Sequence, residues 1–284
     1  MSSNKDSLGD RMKAYEYVTR NYLTRKLPVI IRIDGKAFHS FTRGFQKPFD
    51  SIFVKSMQET MKYLCENIQG CVLGYTQSDE ITLVLVDYKD RDTSAWFDNN
   101  IQKMVSISAS MATLAFNRIF KFELDNYEWD WRHSLTPQSV SIQEEHKKYI
   151  DTLEKAISKG AMFDSRVFTI PKEEVVNCLI WRQQDATRNS IQSVGQAYFS
   201  HKELHGKSCN DIQDMLMNQK NINWNDYPEA LKRGSCCIKC EEIIDITSND
   251  GRVFPAVKRN RWIIDNEIPV FTQDKDYINK LIFV

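Results

Sequence analysis

Apolar residues in the first 170 positions fall into two rhythms. Leu27-Pro28-Val29-Ile30-Ile31-Arg32-Ile33-Asp34 is a β-branched run that follows a proline and stops at Gly35, which predicts a buried strand. A polar loop through Arg43, Gly44 and Pro48 leads to Asp50 or Ser51, either of which can cap a helix. Phe53, Met57, Met61, Leu64 and Ile68 then recur at helical spacing until Gly70. The runs 71–76 and 81–86 predict two strands, joined by the polar turn Gln77-Ser78-Asp79-Glu80. A long helix is expected over 94–120, with Ile101, Val105, Ser108, Ala112 and Ala115 on one face. Residues 125–160 are polar, then charged and helix-like, and read as an insertion. A fourth strand is expected over 161–170, ending at Pro171.

The predicted order is strand, helix, strand, strand, helix, strand. That is an α+β arrangement of the ferredoxin-like, split βαβ type. RNA-recognition modules and polymerase palms share it, so the fold alone does not choose a function. After Pro171 helical patterns continue to about Leu231, and strand-like runs return from Ser235. The chain therefore divides into 1–171 and a helical, strand-ended region 172–284 expected to pack on the first.

With 42% hydrophobic and 27% charged residues over 284 positions, the composition excludes a disordered or collagen-like chain. No run approaches the ~18 apolar residues of a membrane helix, and the N-terminus lacks the apolar core of a secretory signal. Seven cysteines cannot all pair, which predicts a reducing, cytoplasmic setting. Cys236, Cys237 and Cys240 lack a fourth ligand at zinc spacing, and reduced strand cysteines are the expectation. The 38 basic and 38 acidic residues cancel. The first fifty residues nonetheless hold ten Lys and Arg against five acids. Further basic foci lie at Lys232-Arg233 and in Lys258-Arg259-Asn260-Arg261.

Two acids stand out by position. Asp34 ends the first strand and Asp79 lies at the tip of the hairpin. In a split βαβ sheet the first and third strands are neighbours, so both acids reach the same edge. Two carboxylates there could hold a pair of Mg²⁺ ions, since magnesium takes a few oxygen ligands plus water and phosphate. Asp79 is favoured as ligand over Glu80, which is expected to orient or form a salt bridge. Equally, Asp-Gly at a strand end and Ser-Asp-Glu at a hairpin tip are common turn chemistry. Gly35 allows close approach of a ligand, and the amides of Lys36, Ala37, Phe38 and His39 could face phosphate. There is no Walker sequence and no GxGxxG.

Together these segments resemble the tRNA-His guanylyltransferase superfamily, the 3′-to-5′ nucleotide-adding polymerases. The resemblance is carried by Arg32-Ile33-Asp34-Gly35-Lys36-Ala37-Phe38-His39-Ser40-Phe41, Lys47-Pro48-Phe49-Asp50 and Gly74-Tyr75-Thr76-Gln77-Ser78-Asp79-Glu80, then by Phe163-Asp164-Ser165-Arg166-Val167 and Trp181-Arg182-Gln183-Gln184-Asp185. It implies a palm-like catalytic domain over 1–171. The implied metal ligands are Asp34, the Gly35 carbonyl and Asp79, with Asp34, Asp79 and Glu80 as the catalytic acids. Nucleotide binding is implied for Asp34 through His39, Lys47, Asp50, Ser78 and Asp79. Phosphate or tRNA contacts are implied for Arg32, Arg166, Arg182, Arg188, Asn189, Lys232 and Arg233.

True tRNA-His guanylyltransferases follow Trp-Arg-Gln-x-Asp with Cys-His-Ile-Asn-Asn. Here the positions read Ala186-Thr187-Arg188-Asn189-Ser190, with Thr187 for the histidine. The chain thus looks closer to the guanylyltransferase-like proteins, which repair truncated tRNA 5′ ends against a template. The implied reaction activates a 5′-monophosphate with ATP or GTP, then attacks it with the 3′-hydroxyl of an incoming NTP. The implied assembly is a homotetramer, a dimer of dimers. The rival readings are addition of a single G to histidine tRNA, a nucleotidyl cyclase on a similar palm, and a non-catalytic RNA-binding module. The last would need stacking aromatics on central strands that here are aliphatic.

Overall fold

The computed structural model describes residues 7–133, 140–247 and 253–283. Helix α1 (Ser7–Val18) buries none of its residues. Strand β1 (Val29–Gly35) is followed by the single turn α2 (Phe38–Phe41) and the long helix α3 (Ser51–Asn67). Strands β2 (Cys71–Gln77) and β3 (Glu80–Leu85) form the hairpin. Then come α4 (Ile101–Arg132), α5 (Val140–Lys159) and β4 (Phe163–Thr169). Four helices follow: α6 (Glu174–Tyr198), α7 (His201–Leu204), α8 (Cys209–Lys220) and α9 (Glu229–Arg233). Strands β5 (Ser235–Thr247) and β6 (Val253–Asp265) and helix α10 (Asp276–Ile282) complete the chain.

All six strands belong to one sheet in the order β4-β1-β3-β2-β5-β6, and every neighbouring pair is antiparallel. Alternation along β1 divides the interior. Val29, Ile31 and Ile33 face a core shared with α3 and α4, containing Met57, Met61, Phe116 and Phe120. Ile30 faces the opposite core, with Val175 and Leu179 of α6 and Ile278 and Ile282 of α10. Helices thus cover both faces of the antiparallel sheet in a mixed α/β fold, and the polar ends of β1 and of the β2–β3 hairpin emerge at one edge.

Helix α3 starts where the sequence expects. Asp50 caps it, its Oδ1 accepting the Phe53 amide at 3.0 Å. Helix α4 differs from expectation at both ends. It begins at Ile101, because Asn100 is its cap and accepts the Lys103 amide at 3.0 Å, while Phe97, Asp98 and Asn99 have positive φ. It continues to Arg132, because Phe120 and Leu124 extend its buried stripe and the i,i+4 pairs Lys121–Asp125 and Glu128–Arg132 tie its polar face. Residues 125–132 are therefore the end of this helix rather than an insertion. Helix α5 packs its Ile150 and Leu153 into the α3–α4 core.

The tail strands are part of the main sheet. β5 pairs with β2 from Leu73↔Ile238 to Thr76↔Ser235, and β6 pairs with β5. Cys236 and Cys237 are adjacent in a strand, so they enter opposite cores and do not converge. All seven cysteines are free thiols. Among the described residues no helix is long and apolar enough to cross a membrane.

Candidate functional site

The end of β1 and the hairpin turn are held together by backbone. Asp34 pairs in register with Glu80 on β3 and with Asp164 on β4. The Gly35 amide donates to the Asp79 carbonyl at 3.1 Å. Ser78 takes a left-handed φ of 49°, which turns the chain tightly between Gln77 and Glu80, and its hydroxyl donates to Asp79 Oδ1 at 3.1 Å. Asp34 and Asp79 therefore lie at neighbouring positions of the sheet edge. Burial pushes the Asp79 carboxyl up to about 6, and the charges of Asp34 and Glu80 add to the rise. Arg166 reaches Asp34 from the far side at 4.0 Å and also pairs with Asp164 at 3.5 Å.

Both carboxylates open onto a cavity of about 600 Å³. Its walls are the β1 end with Ala37 and His39, the 42–50 loop with Lys47 and Asp50, one face of α3, Ser78, Asn189 of α6, and Lys232 at the end of α9. This is the size range of a small-molecule or cofactor pocket. The space beside Gly35 is filled by the Phe38 ring, which lies 2.3 Å from where a Cβ would stand, so packing by itself requires a glycine there. Phe38 itself is buried among Phe41, Phe53, Phe116 and Phe163. The amides of Gly35 and Lys36 are also taken, by Asp79 and by the Met162 carbonyl at 2.8 Å. Ala37, Phe38 and His39, at the start of α2, line the cavity. His39 is exposed, and its Nε2 lies 3.0 Å from Ser40 Oγ.

The family model for tRNAHis guanylyltransferase matches residues 9–171, more than half of the chain. The chain belongs to the tRNAHis guanylyltransferase family. Its members are nucleotidyltransferases, and this chain is one. Among solved structures it is similar to a bacterial tRNA(His) guanylyltransferase-like protein in complex with ATP. That likeness has 40% identity and a TM-score of 0.76, over 97% of this chain and 99% of that one. A bacterial guanylyltransferase-like protein in complex with GTP matches at 37% identity and TM-score 0.73, over 98% and 100% of the two chains. The tRNA(His) guanylyltransferase of Saccharomyces cerevisiae is 24% identical over 245 residues, 81% of this chain and 90% of that relative.

Within this member of the family, several basic residues read as phosphate contacts are committed elsewhere. Arg182 is buried, pairing with Glu80 at 3.1 Å and Asp185 at 2.6 Å, with its guanidinium 4.0 Å from the centre of the Trp181 ring. Arg32 pairs with the same Glu80 at 3.3 Å. Glu80 is thus locked between two arginines, as a structural ion-pair centre one residue from Asp79, and is not a free acid. Arg188 closes the chain on Asp185. Burial alone would raise Asp185, but Arg188 and Arg182 outweigh it and hold it below the usual carboxylate range. Lys232 is buried, donating to the Asn225 carbonyl at 2.8 Å and pairing with Glu229 at 2.7 Å. Arg233 pairs with Glu229 too. Asp50 is buried, with its oxygens taken by Gln46, Phe53 and Tyr149. Arg25 and Lys26, part of the basic crowd near the N-terminus, both bond to Asp87. Arg166, Lys36, Lys47 and the mouth residue Asn189 are the predicted contacts left nearest open space.

Sequence reasoning missed Asp164, which stands opposite Asp34, although its segment had been singled out. It also missed Ser193 and Gly234 in the cavity wall and Tyr149 behind it. Tyr149 and Asp50 lie 99 residues apart, and Asp164 faces Asp34 only through the sheet order, so no local pattern announces them.

Proposed function

We propose that this chain adds nucleotides in the 3′-to-5′ direction to truncated tRNA 5′ ends, using the opposite strand as template. The observation that carries the reading is the convergence of Asp34 and Asp79 at the lip of a nucleotide-sized cavity in a chain of this family. The strand order β4-β1-β3-β2 supports reading 1–171 as a ferredoxin-like polymerase palm, with 172–284 packed on it.

Magnesium fits the donor set. Asp34, Asp79 and the Gly35 carbonyl are hard oxygen ligands, and magnesium is usually held by one or two carboxylates with substrate phosphates completing the shell. No group of three or more His, Cys, Asp or Glu that could hold a metal occurs among the described residues, which is compatible with two carboxylates completed by substrate. Burial first, and the Asp34 and Glu80 charges second, raise the Asp79 carboxyl, and a bound cation would offset both. Two bound Mg²⁺ ions would supply a more acidic 3′-hydroxyl and neutralise the leaving group. The chain's own residues bind and orient. The α2 amides and Lys47 face the triphosphate, and Arg166 steadies charge at the transferring phosphorus. In the reaction the NTP 3′-oxygen bonds to the 5′-phosphorus of the RNA. The bond to the activating group breaks, releasing AMP from an adenylylated end or pyrophosphate from a triphosphorylated one.

Thr187 in place of the histidine favours repair over addition of one G to histidine tRNA. The bacterial guanylyltransferase-like neighbours, solved with ATP and with GTP, support a nucleotide site in this chain under either reading. The family resemblance supports a homotetramer and the unpaired cysteines a cytoplasmic setting, and the exposed Leu8, Met12 and Tyr15 on α1 are available to such an assembly. The test is extension of several tRNAs lacking their first nucleotide, histidine tRNA among them. Equal extension is expected; a marked preference for the histidine anticodon would refute the repair reading.

A further inference from the structure

Helix α5 contributes no residue to the cavity wall, yet it holds the loop that does. Tyr149 Oη donates to Asp50 Oδ2 at 2.8 Å. The same oxygen accepts the Gln46 amide at 3.1 Å, and Oδ1 accepts the Phe53 amide at 3.0 Å. Asp50 is 4% exposed and Tyr149 9%. Among the described residues no Lys or Arg pairs with this buried carboxylate. Its charge is met by the α3 N-terminus and by these three donors, so each donor matters. The tyrosine ring is fixed in turn, edge-on to Tyr127 of α4 at 5.6 Å and 84°. Burial and the Asp50 charge push the phenol up, which keeps it a donor.

A second contact points the same way. Gly44 has a φ of +88°, and Thr152 Cγ2 of α5 lies 3.1 Å from where its Cβ would stand. Helix α5 thus touches the 42–50 loop at both ends, at Gly44 and at Asp50. Between them lie Phe45, Gln46 and Lys47, all in the cavity wall.

We infer that Tyr149 is a positioning residue for the cavity: its hydroxyl, through Asp50, holds the 42–50 loop and Lys47 in the geometry that receives a nucleoside triphosphate. This rests on the nucleotide-site reading above. It gives α5, which the sequence left as an unassigned insertion, a task at the site without contact to substrate.

The test is Tyr149→Phe in the full chain, which keeps the ring and removes one donor. ATP affinity is measured by calorimetry, and amide exchange is followed by peptide. Tyr149→Phe should weaken ATP binding about 5- to 20-fold, part of the scale of one charge-assisted hydrogen bond, and leave kcat within about two-fold. Exchange should rise in peptides spanning Gln46 and stay unchanged in β1 and β3. Unchanged ATP affinity, or exchange that rises evenly through the sheet, would overturn the inference alone. Failure of the wild-type chain to bind ATP would overturn the nucleotide-site reading, and this inference with it.

Discussion

Replacing Asp79 with Asn removes a charge that the metal-free fold holds at a cost. Asn keeps the size of the side chain and an oxygen for the Ser78 hydroxyl. Burial and Asp34 move the carboxyl from 3.8 to about 6. A carboxyl raised on folding makes the folded state bind its proton more tightly than the unfolded chain does. Stability from this group is therefore greatest below about pH 4, falls between about 4 and 6, and stays lost above. At ~1.4 kcal/mol per pH unit, the penalty at neutral pH is on the order of 3 kcal/mol as a ceiling, less with water at the cavity mouth. For a chain of this size, ~1–3 kcal/mol corresponds to roughly 2–8 °C in Tm. Thermal melts with EDTA should show Asp79→Asn more stable than wild type at pH 8, with no gain at pH 4. Magnesium with ATP should reverse the order at pH 8, by stabilising wild type alone. An Asp79→Asn Tm equal to or below wild type at pH 8 without divalent cation would refute the electrostatic account of the acid pair.

Three further outcomes follow from the geometry. Arg182→Met removes the buried partner that half-buried Glu80 and Asp185 share, leaving them Arg32 and Arg188, and should cost about 2–3 kcal/mol in urea unfolding; a loss under about 1 kcal/mol would mean the network is not coupled. Gly35→Ala forces a Cβ into the Phe38 ring and should cost about 1–3 kcal/mol, with Phe38→Leu partly restoring the double variant. No rescue in that cycle would show that the glycine serves something other than packing. In binding measurements, Arg166→Ala should weaken tRNA affinity and reduce its salt dependence, whereas Arg25→Ala, tied to Asp87 and Asp98, should leave the salt dependence unchanged.

Local patterns announced most of the sheet. The β-branched run before Gly35, the stripe from Phe53 to Leu64 and the two runs around Ser78-Asp79 fold as read, because their burial follows their own periodicity. Asp34 and Asp79 were legible as neighbours for the same reason: antiparallel pairing of β1 with β3 fixes them. What failed depended on distant partners. Beyond Phe120 the helix α4 carries so many charges that buried Leu124 does not stand out as the continuation of its stripe. The pairing of β5 with β2, and the bond from Tyr149 to Asp50, join residues far apart in sequence. Basic residues were the least legible. Arg182 and Lys232 look like open phosphate contacts in the sequence, whereas Glu80, Asp185 and Glu229 hold them in the fold. Their charge sign was visible in the sequence, but their partners were not.

Catalysis of template-directed 5′ extension of tRNA by Asp34 and Asp79 together is tested by incubating a 5′-adenylylated tRNA lacking its first nucleotide with labelled NTP and Mg²⁺, comparing wild type with Asp34→Ala and Asp79→Ala. The account predicts addition of the nucleotide complementary to the opposite strand by wild type, and a loss of about 100-fold or more in each variant. Undiminished extension by Asp79→Ala, or a cyclic product formed from NTP alone, would contradict it.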